Sequence, residues 1–404
     1  MKAMISTAFT PANCVFASRA LRDFADAFVA ILLPVYLLSL GFSPLQVGIV
    51  ATASLFGSAL LTICVGLIGA RLDLRALLLV AAVWMVATGV AMSSASDYLP
   101  LLAIAFVGTM NPSAGSVSVF VPLEHAVLAR ETPDRQRTSM FANYSLIGAL
   151  ASALGGLAAA TPDLMTKLGL DQLTAIKLMF VLYAMLGLLG GLFYSRIPPR
   201  PPSRELDKPA PLGPSRAIVV KLAALFSLDA FAGGFAVQSL LALWLFERFE
   251  LSLSQAGVFF FWTGILSAFS FPVAARLSKR IGLVNTMVFT HIPSSIALAL
   301  AALAPSLTLA LGFLLVRAAL SQMDVPTRSS YVMAVVTDAE RAAAASFTSV
   351  PRSLAAAASP ALAGALFAAS YRAWPFLICA ALKIVYDLLL LRKFRHVKPP
   401  EEMR

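Results

Sequence analysis

Residues 27–70 run for 44 positions without one charged side chain. That is too long for a single membrane-crossing helix of ~20 residues and right for two. Gly41-Phe42-Ser43-Pro44 supplies the turn between them. A second uncharged run, residues 281–316, covers 36 positions and is broken at Ala304-Pro305-Ser306. Residues 76–96, 98–123, 138–162 and 251–275 each suit one crossing. Inside lipid only helices and closed barrels satisfy the backbone, and runs this long and unbroken are not barrel strands. Composition agrees: 59% of residues are hydrophobic and 13% are charged, about half the charged share of a soluble protein. A soluble enzyme or nucleic-acid-binding protein is excluded, because that much apolar surface cannot be hidden from water.

The pattern predicts an all-α membrane protein with twelve transmembrane helices in two pseudo-symmetric six-helix bundles. The first six spans are expected at about 17–40, 45–69, 76–95, 98–123, 138–160 and 175–196. The second six are expected at about 217–246, 253–275, 283–303, 306–331, 342–369 and 373–392. Residues 198–215, rich in proline and arginine, read as a linker between an N-terminal bundle (1–197) and a C-terminal bundle with a short tail (216–404). The first 16 residues lack a charged region followed by a small-residue cleavage site, so the first apolar run is expected to be retained. Cys14, Cys64 and Cys379 have neither zinc nor disulfide spacing and read as small core residues.

The net charge is +11, and its placement reads as an orientation signal. With the N-terminus inside, inner loops and tails hold 21 of the 31 Lys and Arg residues, and outer loops hold four. Both termini and the linker are therefore expected in the cytoplasm, in a bacterial inner membrane. The halves also repeat one another. Ser43-Pro44-Leu45-Gln46-Val47-Gly48 opens the second span, and Ser252-Leu253-Ser254-Gln255-Ala256-Gly257 opens the eighth, 209 residues later. Val121-Pro122 and Val325-Pro326 match at an offset of 204. Such matches point to a duplicated six-helix unit in one orientation.

The chain resembles the major facilitator superfamily over nearly its whole length. The loop after the second span reads Gly66-Leu67-Ile68-Gly69-Ala70-Arg71-Leu72-Asp73-Leu74-Arg75; Gly66, Arg71 and Arg75 match the family's loop motif, with Ala70 in place of its acid. In the copy after the eighth span, Arg280 and Gly282 match and Lys279 replaces the acid. The fifth span keeps Gly155-Gly156 of an antiporter segment without its Gly-Pro step. Ser321-Gln322-Met323-Asp324-Val325-Pro326 resembles a phrase of bacterial members. The resemblance implies a transporter that rocks two bundles about a central cavity lined by the first, fourth, seventh and tenth spans.

Ionisable residues inside spans cost at least ~2.5–3.5 kcal/mol at mid-depth and so need a partner, water or a function. The first span carries Arg19, Arg22, Asp23 and Asp26, where Arg19/Asp23 and Arg22/Asp26 are spaced to pair on one face. Two readings stand, a self-neutralised helix entrance or a proton-exchanging carboxylate. Asp26, Asp229 and Asp23 are the proton-coupling candidates, and Asp229 has no charged neighbour on its own helix up to Phe246. Asn111, Ser113, Gln238, Arg317, Ser321, Gln322 and Asp324 are the substrate-binding candidates. Arg317 either holds an anionic group of the substrate or pairs with Asp324 or an acid of the first or seventh span. Glu124 and Arg328 sit at equivalent repeat positions and are candidates for a gate between the bundles; Arg22, Arg71 and Arg280 complete the gate set. Lys383/Asp387 reads as a neutralised pair within the last span.

The functional expectation is a non-enzymatic, monomeric secondary transporter for a small molecule, with protons and the bilayer as partners and no cofactor, metal site or nucleic acid. Proton-coupled export of a small organic compound is the first reading. The alternatives are uptake of an anionic metabolite, a transition-metal carrier using Met287 and His291 at i,i+4, and a non-transporting membrane sensor or assembly factor.

Overall fold

The computed structural model describes residues 10–68, 72–113, 118–132, 137–199, 212–337 and 340–397. Helices in this range make twelve crossings. Spans 1 to 3 are α1 (Pro11–Ser39), α2 (Pro44–Ile68) and α3 (Leu74–Ser94). Span 4 is broken into α4 (Tyr98–Val107) and α5 (Phe120–Glu131). Span 5 is α6 (Arg137–Ala158); the short α7 (Thr161–Lys167) leads to span 6, α8 (Gln172–Tyr194). Span 7 is broken into α9 (Arg216–Gly234) and α10 (Gln238–Phe249). Spans 8 and 9 are α11 (Leu253–Ile281) and α12 (Leu283–Leu303). Span 10 divides into α13 (Leu307–Ser321) and α14 (Asp324–Ala334), and span 11 into α15 (Arg341–Ala358) and α16 (Pro360–Ala368). Span 12 is α17 (Trp374–Phe394). Among the described residues nine of these crossings are long and apolar enough to span a bilayer by composition alone. The other three are span 1, which carries four charges, span 4, which is interrupted, and span 11, which breaks at Ser359.

Local chemistry places the helix ends. Thr10 caps α1 by accepting the Asn13 N–H at 3.2 Å, with Pro11 in the first turn. The repeated phrase of the two halves forms the same device twice. Ser252 and Gln255 make a capping box at the start of span 8, with both bonds at 3.1 Å. Ser43 and Gln46 make the same reciprocal pair at the start of span 2, at 2.8 and 3.4 Å.

The packing repeats with a shift of six spans. Span 1 packs on spans 5 and 6, and span 3 on 6; span 7 packs on spans 11 and 12, and span 9 on 12. Across the halves, span 5 meets span 8 and span 2 meets span 11. Because successive spans reverse direction, the start of span 1, the end of span 12 and the ends of spans 6 and 7 that flank residues 200–211 share one side of the molecule, the linker side. The residue contacts between the halves gather toward the opposite, far side. Thr52 Oγ1 accepts the Ala361 N–H at 2.9 Å. Asp163 accepts from the Ser254 N–H and hydroxyl at 2.8 and 2.9 Å. A Cβ on Gly48 would stand 2.5 Å from the Pro360 carbonyl and 2.9 Å from Gly364 Cα. A Cβ on Gly66, near the linker end of span 2, would meet nothing. The halves are thus closed on the far side.

Glu340, just before span 11, ties that span to the start of span 7. It accepts the Gly213 and Ser215 N–H groups, the latter at 3.3 Å, and the Thr337 hydroxyl at 2.7 Å. Hydrogen bonds from Ser215, Thr337 and Gly213 hold its carboxyl down at about 2. A depressed carboxylate contributes stability that is complete above the ordinary value of ~4.3 and is lost as pH falls through the folded value. Glu340→Gln is therefore expected to flatten the fall in thermal midpoint of the solubilised protein between about pH 4.3 and 2. Equal slopes in both proteins would show that these bonds contribute nothing.

Candidate functional site

The site lies where four spans lose their helical hydrogen bonding. Span 7 stops at Gly234, where a Cβ would collide with Ser359 Oγ at 2.1 Å and the Ala356 carbonyl at 2.4 Å. Glycine lets spans 7 and 11 touch, and Ser359 Oγ donates to the Phe231 carbonyl at 2.5 Å. In span 4, Asn111 Oδ1 accepts the Ser113 N–H at 2.8 Å, and the Pro112 carbonyl accepts the Ser239 N–H from span 7 at 3.0 Å. Pro112 and Gly233-Gly234 are the residues whose backbone chemistry permits these breaks. They surround a cavity of about 310 Å³ whose walls come mainly from spans 7 to 12, with Ser113 contributed by span 4.

Two buried charge clusters flank this level, one in each half. In the N-terminal half, Arg19 pairs with Asp23 at 2.7 Å, as its spacing predicts. A Cβ on Gly148 would lie 2.5 Å from Asp23 Oδ2, so glycine in span 5 makes room for the pair. Arg22 departs from expectation. It lies 2.9 Å from Glu124 and 3.6 Å from Asp23 rather than pairing with Asp26. Glu124 is fully buried and also accepts the hydroxyls of Tyr144 and of Tyr194, the latter at 2.5 Å. Asp26 is fully buried, forms no ion pair and has no hydrogen bond of normal geometry, the Tyr183 hydroxyl being its polar neighbour. Tyr183, beside it, has its hydroxyl 3.0 Å from Thr109 Oγ1.

In the C-terminal half the same construction appears with charges reversed. Asp229 of span 7 takes Arg328 of span 10 at 3.0 Å and Lys383 of span 12 at 2.6 Å. Arg328 also holds Asp324 at 3.3 Å. His291 of span 9 places Nδ1 3.0 Å from Asp387, and its Nε2 lies 3.3 Å from Lys383 Nζ and 3.8 Å from Asp229.

Glu124 and Arg328 are each held by charges of their own half in this state, which is closed on the far side; the expected pair between the bundles belongs to closure on the linker side. Other expectations are corrected by these distances. Lys383 and Asp387 do not neutralise each other; Lys383 reaches Asp229, and Asp387 reaches His291. Met287 is buried in an apolar cluster with Val284 and Val288, while His291 is engaged by Asp387 and Lys383. The pair therefore does not present two open ligands to a metal. Spans 8, 9, 11 and 12 line the cavity beside the expected spans 4, 7 and 10, and among the described residues span 1 does not.

Of the substrate-binding candidates, Ser113, Gln238, Arg317, Ser321 and Gln322 line the cavity. Asn111 is buried in the span 4 break, and Asp324 is buried against Arg328. Gln238 also donates to the Ala27 carbonyl of span 1 at 3.5 Å. Arg280 is exposed at the linker end of α11, away from both clusters, and Arg71 lies outside the described residues. Arg75 of the loop motif donates to the Ser195 carbonyl at 2.8 Å, joining the linker ends of spans 3 and 6. The glycines of the antiporter-like segment serve packing on two sides. A Cβ on Gly155 would meet the Phe24 carbonyl of span 1 at 2.1 Å, and one on Gly156 would meet Phe260 of span 8 at 3.3 Å. Sequence reasoning missed Arg352, Lys383 and His291 as cavity residues. The available signal was only that each is ionisable in an apolar span.

A family model described as Major Facilitator Superfamily matches residues 15–316 and, again, residues 223–404. An uncharacterized membrane protein of Saccharomyces cerevisiae, YJR124C, is 24% identical over 356 residues, covering 79% of this chain and 80% of its own. The fold is similar to that of the xylose transporter XylE from E. coli in an inward open conformation, with a TM-score of 0.75 and 13% identity over 94% of this chain and 95% of that one. It is similar also to a bacterial homologue of the human lysosomal transporter Spinster, with a TM-score of 0.71, 18% identity, and 96% and 97% coverage. The human organic anion transporter MFSD10 gives a TM-score of 0.64 and 20% identity over 94% of this chain and 98% of that one.

Proposed function

Because the chain belongs to the Major Facilitator Superfamily, we propose that its two bundles rock about the 310 Å³ cavity and carry a small polar solute across the membrane. The family membership makes it a multi-pass membrane protein with a secondary-transporter fold. Proton coupling is the reading that the buried charge pattern supports best. The observation that carries it is Asp26, a fully buried carboxylate with no ion pair and the Tyr183 hydroxyl beside it, one residue from the Ala27 carbonyl that Gln238 of the other half contacts. An ionised carboxylate with no ion pair is costly in such a place. Proton binding and release there is the event that the rocking motion would sense. Asp229 has a different role in this reading. Two cations balance its charge, so it holds spans 7, 10 and 12 together.

The experiment is gradient-driven accumulation in proteoliposomes, assayed with the proton gradient imposed in each direction, which also reads the direction of transport. Asp26→Asn keeps the shape and cannot titrate. It is expected to abolish accumulation while leaving solute exchange. Normal accumulation by the variant would remove Asp26 from the coupling step.

The 21-to-4 asymmetry of Lys and Arg supports cytoplasmic termini, which makes the closed far side the outer one. A cysteine placed at Ser203 is expected to react with an impermeant thiol reagent in inside-out vesicles. Reaction in intact cells instead would reverse the orientation.

A further inference from the structure

The interior charges of the C-terminal half do not balance. Asp229, Asp324 and Asp387 face four permanent cations, Arg317, Arg328, Arg352 and Lys383. Arg328 and Lys383 are taken by Asp229 and Asp324, and Asp387 is taken by His291. Arg317 and Arg352, which both line the cavity, are left without an ion pair among the described residues. Arg352 has in addition a buried Nε with no hydrogen-bond partner.

A guanidinium cannot shed its charge, so an unpaired, half-buried one inside a membrane protein is best offset by an anion. Its planar fork fits the oxygens of a carboxylate or phosphate. The wall beside Arg317 is polar. Ser321 lies one helical turn on, Gln322 follows, and Ser294 donates to the Arg317 carbonyl at 3.4 Å. Ser295 lines the same wall with a buried hydroxyl that has no partner. This donor set suits a small anion that also carries hydroxyl or carbonyl oxygens.

We propose that the transported solute is a small oxygen-rich organic anion whose carboxylate or phosphate group seats on Arg317, with Arg352 as a second cationic contact of the same cavity. The proposal rests on the transport reading above and names its substrate class. The bound anion would neutralise the surplus charge of this half while Asp26 carries a proton in the other, so both clusters could cross the closed state without net charge.

The test uses a bacterial metabolite extract divided on an anion-exchange resin, with thermal stabilisation of the purified full-length protein as the readout. The retained, anionic fraction is expected to raise the melting temperature, and the unretained fraction to leave it unchanged. Arg317→Gln should shift the concentration needed by roughly tenfold to a hundredfold, Arg317→Lys by less, and Arg352→Gln by an intermediate amount. Phosphatase treatment of the retained fraction separates the two anions: lost stabilisation marks a phosphate monoester, and retained stabilisation a carboxylate. Stabilisation by the unretained fraction, no effect of the retained one, or an unchanged response in a well-folded Arg317→Gln protein would overturn the proposal. The rocking of the bundles, read by label distances without any solute, would stand or fall separately.

Discussion

Asp229→Ala is expected to destabilise the solubilised protein by about 3–5 kcal/mol, the range for removing one partner from a buried ionic cluster. Asp229 is 4% exposed and receives Arg328 at 3.0 Å and Lys383 at 2.6 Å, so its loss leaves one cation wholly unpaired and the other sharing only Asp324. Three spans are joined through this one carboxylate, and each would have to reposition its charge or admit water. Asp229→Asn keeps the shape and one of the two acceptor oxygens but no charge, and should lose less. Chemical denaturation monitored by tryptophan fluorescence measures both. A loss under about 1 kcal/mol for the alanine variant would mean that cavity water already screens the cluster as it screens surface pairs.

Gly48→Leu is expected to lower transport by about two orders of magnitude or more, because far-side closure requires backbone against backbone at this point. The added Cβ would sit 2.5 Å from the Pro360 carbonyl and 2.9 Å from Gly364 Cα, and main-chain atoms cannot rotate aside as a side chain can. The clash exists only when spans 2 and 11 meet, so the variant should fold and populate a state opened on the far side. Gly312→Leu is the matching control, since a Cβ there meets nothing within 4 Å. Equal transport by both variants would show that the halves do not need this contact.

The architecture was legible in the sequence because the membrane forces it. Runs without charge, 44 and 36 residues long, leave the backbone no choice but helices in pairs. The repeated Ser-x-x-Gln phrase was legible for a local reason, as each copy closes its own capping box and delivers a glycine, Gly48 or Gly257, to the seam between the halves. Ion pairing was legible only where both partners share a helix. Arg19/Asp23 and Arg328/Asp324 follow from i,i+4 spacing and form. Arg22/Asp26 and Lys383/Asp387 have the same spacing and do not, because Glu124, Asp229 and His291 arrive from other spans with better geometry. Spacing along one helix carries no information about what the neighbouring helix presents. Arg317 stood out as the lone charge of a long apolar run. Arg352 and His291 did not, since the sequence of spans 9 and 11 does not say which of their faces meets the cavity.

The central claim is that closing one side of the seam opens the other. Two label pairs read it in a variant with Cys14 and Cys379 replaced by alanine, and Cys64 replaced as well where the far pair is labelled. The far pair is Leu45 with Leu362 and the linker pair is Cys64 with Phe347, all exposed positions on spans 2 and 11. Pulsed electron-resonance distances should show the far pair close and the linker pair apart in the parent protein. Gly48→Leu should reverse both, lengthening the first as it shortens the second. A far pair that lengthens while the linker pair stays fixed, or two distances that vary independently, would contradict alternating access in this protein.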